Sequence, residues 1–350
     1  MTKSGSDLQI GRRAALTLFA SLAAGATARA ADDWAEVEPA ARKEGRVVLY
    51  HNMRPQGAEI LLGAFRKAHP GIETEHIRLG SAPLNERFAT EFNAQRNLAD
   101  VMLSFPDDTF FKGVDSGGWA LQWSPPEFAA FPPKDNHQNR AFAVNTTRNV
   151  IIWNKNRVRA PDAPKEWSDL WSARFKGRVG MDPPWRSVAV QGVAALWNKL
   201  GMTDAAEKLR DNDVRFFEGS AGVYQAVLRG DVQIATLADL PLEPGLEDGA
   251  PIGFVYPQSG TAYSDGYLFV SARAPHPAAA KLFANWLLSV PGQESLQEND
   301  GLPVTRPGVP PPKFIPPTAS LSNAVDTLTL IGGSGQDDLI RHWRTVFGIR

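Results

Sequence analysis

The chain contains no cysteine. That absence removes cysteine nucleophiles, thiolate zinc sites, disulfide staples and a lipid anchor on an N-terminal cysteine. A chain of 350 residues can build its own cores without staples. An excess of one charge is also lacking: 37 basic and 38 acidic residues leave a net charge of −1, and no long block of one sign occurs. A nucleic-acid groove needs a basic excess, so no nucleic-acid partner is expected. The six histidines (His51, His69, His76, His137, His276, His342) are scattered, with no close pair at helical spacing. There is no Gly-x-Ser-x-Gly elbow and no phosphate-cradling loop ending in Gly-Lys-Ser/Thr. Accordingly no catalytic residue, metal ligand set or cofactor is expected, and the chain does not read as an enzyme.

What is present first is an export address. Arg12 and Arg13 stand ahead of an uncharged apolar run, Ala14 to Ala28, which closes on Ala28-Arg29-Ala30. A basic start, an apolar middle too short to span a bilayer and a small-x-small end make a secretory leader. The adjacent arginines point to the twin-arginine route rather than the general one. Residues 1–30 are therefore read as a leader, with the mature chain starting near Ala31 and working, soluble, in the periplasm. No second long apolar segment follows.

The mature part alternates strand and helix signals. Arg46-Val47-Val48-Leu49-Tyr50 is a continuous apolar run of the buried parallel type. Ala58, Leu61, Leu62 and Phe65 then recur at helical spacing until His69-Pro70-Gly71. A strand over 72–79, a helix through Leu84, Phe88 and Phe92, and a strand at Val101-Met102-Leu103 complete a βαβαβ opening. After a loop rich in proline and aromatics, a second α/β unit runs from Asn149-Val150-Ile151-Ile152-Trp153 to Val232-Gln233-Ile234-Ala235. A late strand, Gly266 to Val270, precedes a helix from Pro277. Pro303 to Pro317 is an extended connector, and two helical segments near 321–330 and 337–346 end the chain. Gly332-Gly333-Ser334-Gly335 reads as a turn before the last helix.

The ordered series "EGRVVLYHNMRPQGAEILLGAFRKAHPGIETEHIRLGS", "ADVMLS", "NVIIWNKNRV", "FKGRVGMDPP", "YQAVLRGDVQIATL" and "SDGYLFVSARAPHPAAAKLFANWLLSVPGQE" resembles the periplasmic solute-binding proteins of ABC importers, in the branch with the ferric-iron-binding proteins. The resemblance covers nearly the whole mature chain. It implies a two-lobed α/β fold of type II, in which two doubly wound lobes are joined by two crossover strands and close over a ligand. The crossings are expected near 145–150 and 260–264. The first lobe is then 31–147 with 260–309, the second is 148–259, and 310–350 packs mainly on the second.

In the iron-binding members, a His in the first strand-loop, a carboxylate after the third strand and a Tyr-Tyr pair after a later strand hold the metal. Here those places carry Arg54, Ser104-Phe105 and Asp239-Leu240-Pro241. Ferric iron asks for several hard anionic oxygens, which this set does not supply. His51 and Asp107 lie near enough to keep an iron protein with atypical ligands as an alternative.

The candidate ligand contacts are the loop residues at strand ends. They are His51, Asn52 and Arg54, then Ser81, Ser104, and the Trp185-Arg186-Ser187 start of the helix from Val188. Asp239 and Tyr263 near the second crossing complete the set. An arginine offers a planar fork for carboxylate or phosphate, and a helix start offers free N–H groups and a positive dipole end. Each has a plainer reading: Arg54 paired with Glu59, Ser187 as a helix cap, Trp185 covering a core edge. Glu218 to Gly222 makes a further helix start, with Ser220 as an N-cap. The expected function is capture of a small ligand, an organic anion, for delivery to an ABC permease in the inner membrane, by a monomer. A ligand-presenting subunit of a membrane sensor kinase and a secreted hydrolase remain as rivals.

Overall fold

The computed structural model describes Met1 and residues 34–321, 323–331 and 335–349. Residues 2–33, where the expected leader falls, and residues 332–334 of the expected turn lie outside the described residues.

Three parallel strands open the sheet: β1 (Arg46–His51), β2 (Glu73–Arg78) and β3 (Val101–Ser104). β1 is central, pairing with β2 on one side and β3 on the other. Its continuous apolar run fits a strand covered on both faces, and every β1 residue after Arg46 is buried. The helices Pro55–Ala68 and Ser81–Asn93 are the crossovers between these strands. After the short β4 (Asn136–His137) comes β5 (Ala141–Asn154), the longest strand. β6 (Val179–Met181), β7 (Arg215–Phe216), β8 (Ile234–Ala238), β9 (Ile252–Val255), β10 (Thr261–Val270) and β11 (Ala324–Asp326) follow. The sheet order is β2-β1-β3-β10-β5-β8-β6-β7, with β4 and β9 on β5 and β11 on β10.

β5 belongs to two halves. From Phe142 to Arg148 it pairs antiparallel with β10, and from Asn149 onward with β8 and β9. The sequence of β5 explains how it can do so. Its apolar ends sit in the two cores, while Asn145 to Asn149 between them is polar yet buried. Buried polar groups need partners. Thr146 donates to Asp265 (2.6 Å), Thr147 to Asp239 (3.1 Å), and Thr261 to the Asn149 carbonyl (2.9 Å).

Each half has its own core. In the first, Phe65, Phe283 and Trp286 pack together on one face of the sheet, while Phe88, Phe110 and Phe269 cover the other. In the second, Trp167, Trp197 and Trp343 lie on one face and Val227, Leu237 and Ile252 on the other. Each large side chain so buried contributes roughly 1.5–3 kcal/mol.

The proline-rich connector runs from the first half to the second. Thr146 donates its N–H to the Pro303 carbonyl (2.9 Å), and Thr305 donates to Val144 (3.1 Å). Farther on, the Glu243 carboxylate accepts the N–H groups of Lys313, Phe314 and Ile315. The chain then returns to the sheet. The sequence reads as a helix over 321–330, but residues 324–326 form β11 and only Thr327–Ile331 is helical. Thr261 to Tyr263 of β10 extend beyond β3, and β11 covers the edge left there. The last helix, Gly335–Phe347, sets Trp343 against Trp197 in the second core.

Candidate functional site

A cleft of about 230 Å³ lies between the two halves. It is built from loops at the carboxyl ends of strands, as expected for doubly wound sheets. The β1 loop brings Asn52 and Arg54, the end of β2 brings Arg78, and the start of the next helix brings Ser81. Phe105 follows β3. From the second half come Asp182 after β6, Arg186 and Ser187 before the helix Val188–Lys199, and Glu218 to Ala221 after β7. Leu240 and Pro241 follow β8, and Thr147 of β5 lies between the halves.

Four helices start at this cleft. Their N-cap residues are Arg54, Gly80, Ser187 and Glu218, and none makes a side-chain capping hydrogen bond. First turns without such a cap leave backbone N–H groups for solvent or an occupant, except where Asp182 takes the Gly219 N–H, and each start carries a positive dipole end of roughly half a charge. Pro55 and Pro83 remove two donors from the first pair.

The charges divide unevenly. The first-half wall carries Arg54 and Arg78 and, among its described lining residues, no carboxylate. Arg78 is oriented by Nε, which donates to the Met53 carbonyl at 3.1 Å. Arg54 donates to the Asn299 carbonyl at the end of the helix Val290–Asp300. The second-half wall carries Arg186, Asp182 and Glu218. Arg186 bonds Glu218 at 3.0 Å, both side chains largely exposed. Asp182 is buried and accepts the Gly219 N–H at 3.2 Å. Burial pushes its carboxyl up to about 6, and the Gly219 N–H, the Ser187 hydroxyl and the Arg186 charge offset only part of that push.

Of the residues singled out in the sequence, Asn52, Arg54, Ser81, Arg186 and Ser187 line the cleft, and the other five do not. His51 is fully buried, with Nε2 2.9 Å from His76 Nδ1, and His76 in turn reaches Glu59 at 2.8 Å. Burial drives His51 down to about 3, so it is a neutral group behind the wall. Glu59 therefore serves His76, whereas Arg54 turns to Asn299. Ser104 is buried and donates to the Phe105 carbonyl (3.3 Å), so Phe105 reaches the cleft in its place. Trp185 packs edge-on against Phe216, centroids 5.1 Å apart, and against Phe347. Asp239 is fully buried and spends its oxygens on Arg148, Thr147 and Tyr256. Tyr263 sits opposite Asp326 in the β10–β11 pair, and burial raises it to about 12. Asp107 caps the helix Asp108–Asp115 by accepting the Phe110 N–H (2.8 Å) and is not a lining residue. The residues that sequence reasoning passed over are Arg78 and Asp182. Both end or follow a strand, which is the signal that could have marked them. Among the described residues no group of three or more His, Asp or Glu is placed to hold a metal ion.

A family model for bacterial extracellular solute-binding proteins matches residues 97–320. The spermidine/putrescine-binding periplasmic protein of Escherichia coli is 23% identical over 219 residues, 57% of this chain and 62% of that one. The chain spans 47% to 62% of the lengths of the curated relatives it matches. Among solved structures, the periplasmic binding protein AfuA from Actinobacillus pleuropneumoniae, with exogenous fructose-6-phosphate bound, has a TM-score of 0.77 at 21% identity. That match covers 87% of this chain and 99% of the other. Iron-bound HitA from Pseudomonas aeruginosa has a TM-score of 0.72 at 20% identity, covering 86% and 99%. At these identities the two structures speak for the fold alone.

Proposed function

This chain belongs to the bacterial extracellular solute-binding proteins, and from that premise we propose that it captures a small organic anion in its cleft for delivery to an ABC permease in the inner membrane. Its fold is that of the two-lobed, type II periplasmic binding proteins, and proteins of that family and fold bind solutes rather than transform them. The working place in this reading is the periplasm, reached through the leader, and the protein acts there as a monomer. Among the described residues no helix is long and apolar enough to cross a membrane.

The observation that carries the anion is the convergence of four helix starts, none capped by its own N-cap side chain, on a cleft that also holds Arg54, Arg78 and Arg186. The volume, below the usual range for drug-sized ligands, suits a small molecule. The lobes of this proposal are 31–147 with 260–309 and 148–259, with 310–350 packed mainly on the second. A ligand touching both walls makes its full set of contacts only when they approach, so it shifts the population toward closure. The permease then reads the closed shape.

A cation is the second reading. Asp182 and Glu218 in the second wall favour it, as does the likeness to a polyamine-binding relative. Native mass spectrometry of protein taken from the periplasm, followed by calorimetry with organic acids, phosphate esters and spermidine, decides between them. A saturating anion with spermidine silent supports the proposal; the reverse result replaces it.

A further inference from the structure

The division of charge across the cleft carries more than the sign of the ligand. One wall presents Arg54 and Arg78 with no carboxylate among its described residues; the other presents Asp182 and Glu218 against the single cation Arg186. A ligand that was anionic at every point would be repelled by the second wall. Of its two carboxylates, Glu218 is answered by Arg186 at 3.0 Å. Among the described residues, Asp182 accepts the Gly219 N–H at 3.2 Å and the Ser187 hydroxyl, with the Arg186 charge nearby. A carboxylate accepts about four hydrogen bonds, so Asp182 has acceptor capacity left. It is 5% exposed and lines the cleft, so its remaining exposure is toward an occupant. Removing a carboxylate from water without completing its hydrogen bonds is costly, and a donor from the ligand offsets that cost.

We propose that the ligand is bipolar: a phosphate or carboxylate group docks on the Arg54–Arg78 wall, and hydroxyl groups at its other end donate to Asp182. This rests on the anion reading and narrows it to hydroxylated anions, of the sugar phosphate or sugar acid class. Arg186 then acts mainly as the partner of Glu218, and Asp182 sets specificity. An alkyl anion of the same head group satisfies the first wall and leaves Asp182 unanswered.

Two matched pairs of probes test this by calorimetry on the full mature protein: propyl phosphate against glycerol 3-phosphate, and butyrate against 2,3,4-trihydroxybutyrate. In each pair the hydroxylated member should bind at least about tenfold tighter, the worth of one charge-assisted hydrogen bond. Asp182→Asn should lower the affinity of the hydroxylated members roughly tenfold, yet leave the alkyl members unchanged or tighter, because it also removes a repelling charge. A melting curve on Asp182→Asn, and on Asp182→Ser as a second variant, separates a binding effect from a folding defect. Equal affinities within each pair overturn the bipolar ligand and leave the anion reading standing. So does a substitution that weakens all four probes alike. If spermidine binds and none of the four does, or if nothing in the panel binds, both readings fall.

Discussion

Arg148 and Asp239 form a fully buried ion pair at the point where β5 passes from one half of the molecule to the other. Arg148 Nε donates to Asp239 Oδ2 over 2.8 Å, and Asp239 Oδ1 accepts the Arg148 backbone N–H at 3.0 Å. Tyr256 adds its hydroxyl at 2.8 Å, and Arg148 reaches on to the Pro316 carbonyl. Four stretches of chain are thus tied at one point: β5, the residue after β8, the loop after β9 and the C-terminal connector.

Removing one member of this pair leaves the other a buried charge without its counter-charge. Asp239→Ala should destabilise the protein by about 3–5 kcal/mol, measured by urea unfolding. Replacing both residues by apolar side chains of similar volume should cost less than the single change. If Asp239→Ala unfolds at the parental midpoint, the pair is not a structural tie.

The cleft arginines should not be equivalent. Arg78 stands on the wall whose described residues include no carboxylate and is oriented by Met53, so Arg78→Ala should weaken anion binding roughly ten- to a hundredfold. Arg186 already answers Glu218, so Arg186→Ala should cost clearly less. Calorimetry with glycerol 3-phosphate checks the order; a larger loss at Arg186 would reverse the assignment of the two walls.

The pH dependence of stability holds two opposed contributions. Asp182 titrates near 6 when folded, above its ordinary 3.8. The folded state therefore holds the proton more tightly, and this group's contribution falls as pH rises from about 4 to about 6. His51 behaves in reverse. Its folded value near 3 lies below the ordinary 6.5, so its contribution is complete above 6.5 and is lost as pH falls toward 3. The total curve hides both, but variants separate them. Relative to the parent, Asp182→Asn should gain stability on going from pH 4 to pH 6.5, read as the difference in urea midpoints. A flat difference would mean Asp182 is ordinarily solvated.

Ferric salts should produce neither a tyrosinate-to-iron charge-transfer band nor a saturable rise in melting temperature. The described residues hold no cluster of three or more carboxylates and imidazoles fit for a metal ion, and a ligand bound only by the folded state would raise the melting point by mass action. A coloured stoichiometric complex would refute this.

The strands most legible in the sequence were those buried on both faces. β1 announces itself as an unbroken apolar run, Val47 to Tyr50, because a parallel strand in such a sheet meets a core on each side. β11 was not legible: Ala324-Val325-Asp326 has no strand pattern of its own and pairs because β10 leaves an edge there. At the cleft, strand-end loops supply the lining, but adjacent residues of one loop differ in whether they reach it. His51 and Asn52, like Ser104 and Phe105, are consecutive residues of which one is buried behind the wall and the other lines it. The side chain of a strand's last residue and that of the next residue point in different directions, so a shift of one residue exchanges a group behind the wall for one that lines the cleft. Asp239 was misplaced for a different reason. Its partner Arg148 lies 91 positions earlier in the chain, and nothing local distinguishes a carboxylate with a buried partner from one facing a cleft.

The late return of the chain also constrains how the molecule is made. The first half is not complete until β10 has settled between β3 and β5 and the helix Pro277–Leu288 has brought Phe283 onto Phe65. The second still awaits Trp343, near the very end. Both cores are therefore closed by elements far along the sequence from those they pack on, which makes long-range pairings the slow step of folding.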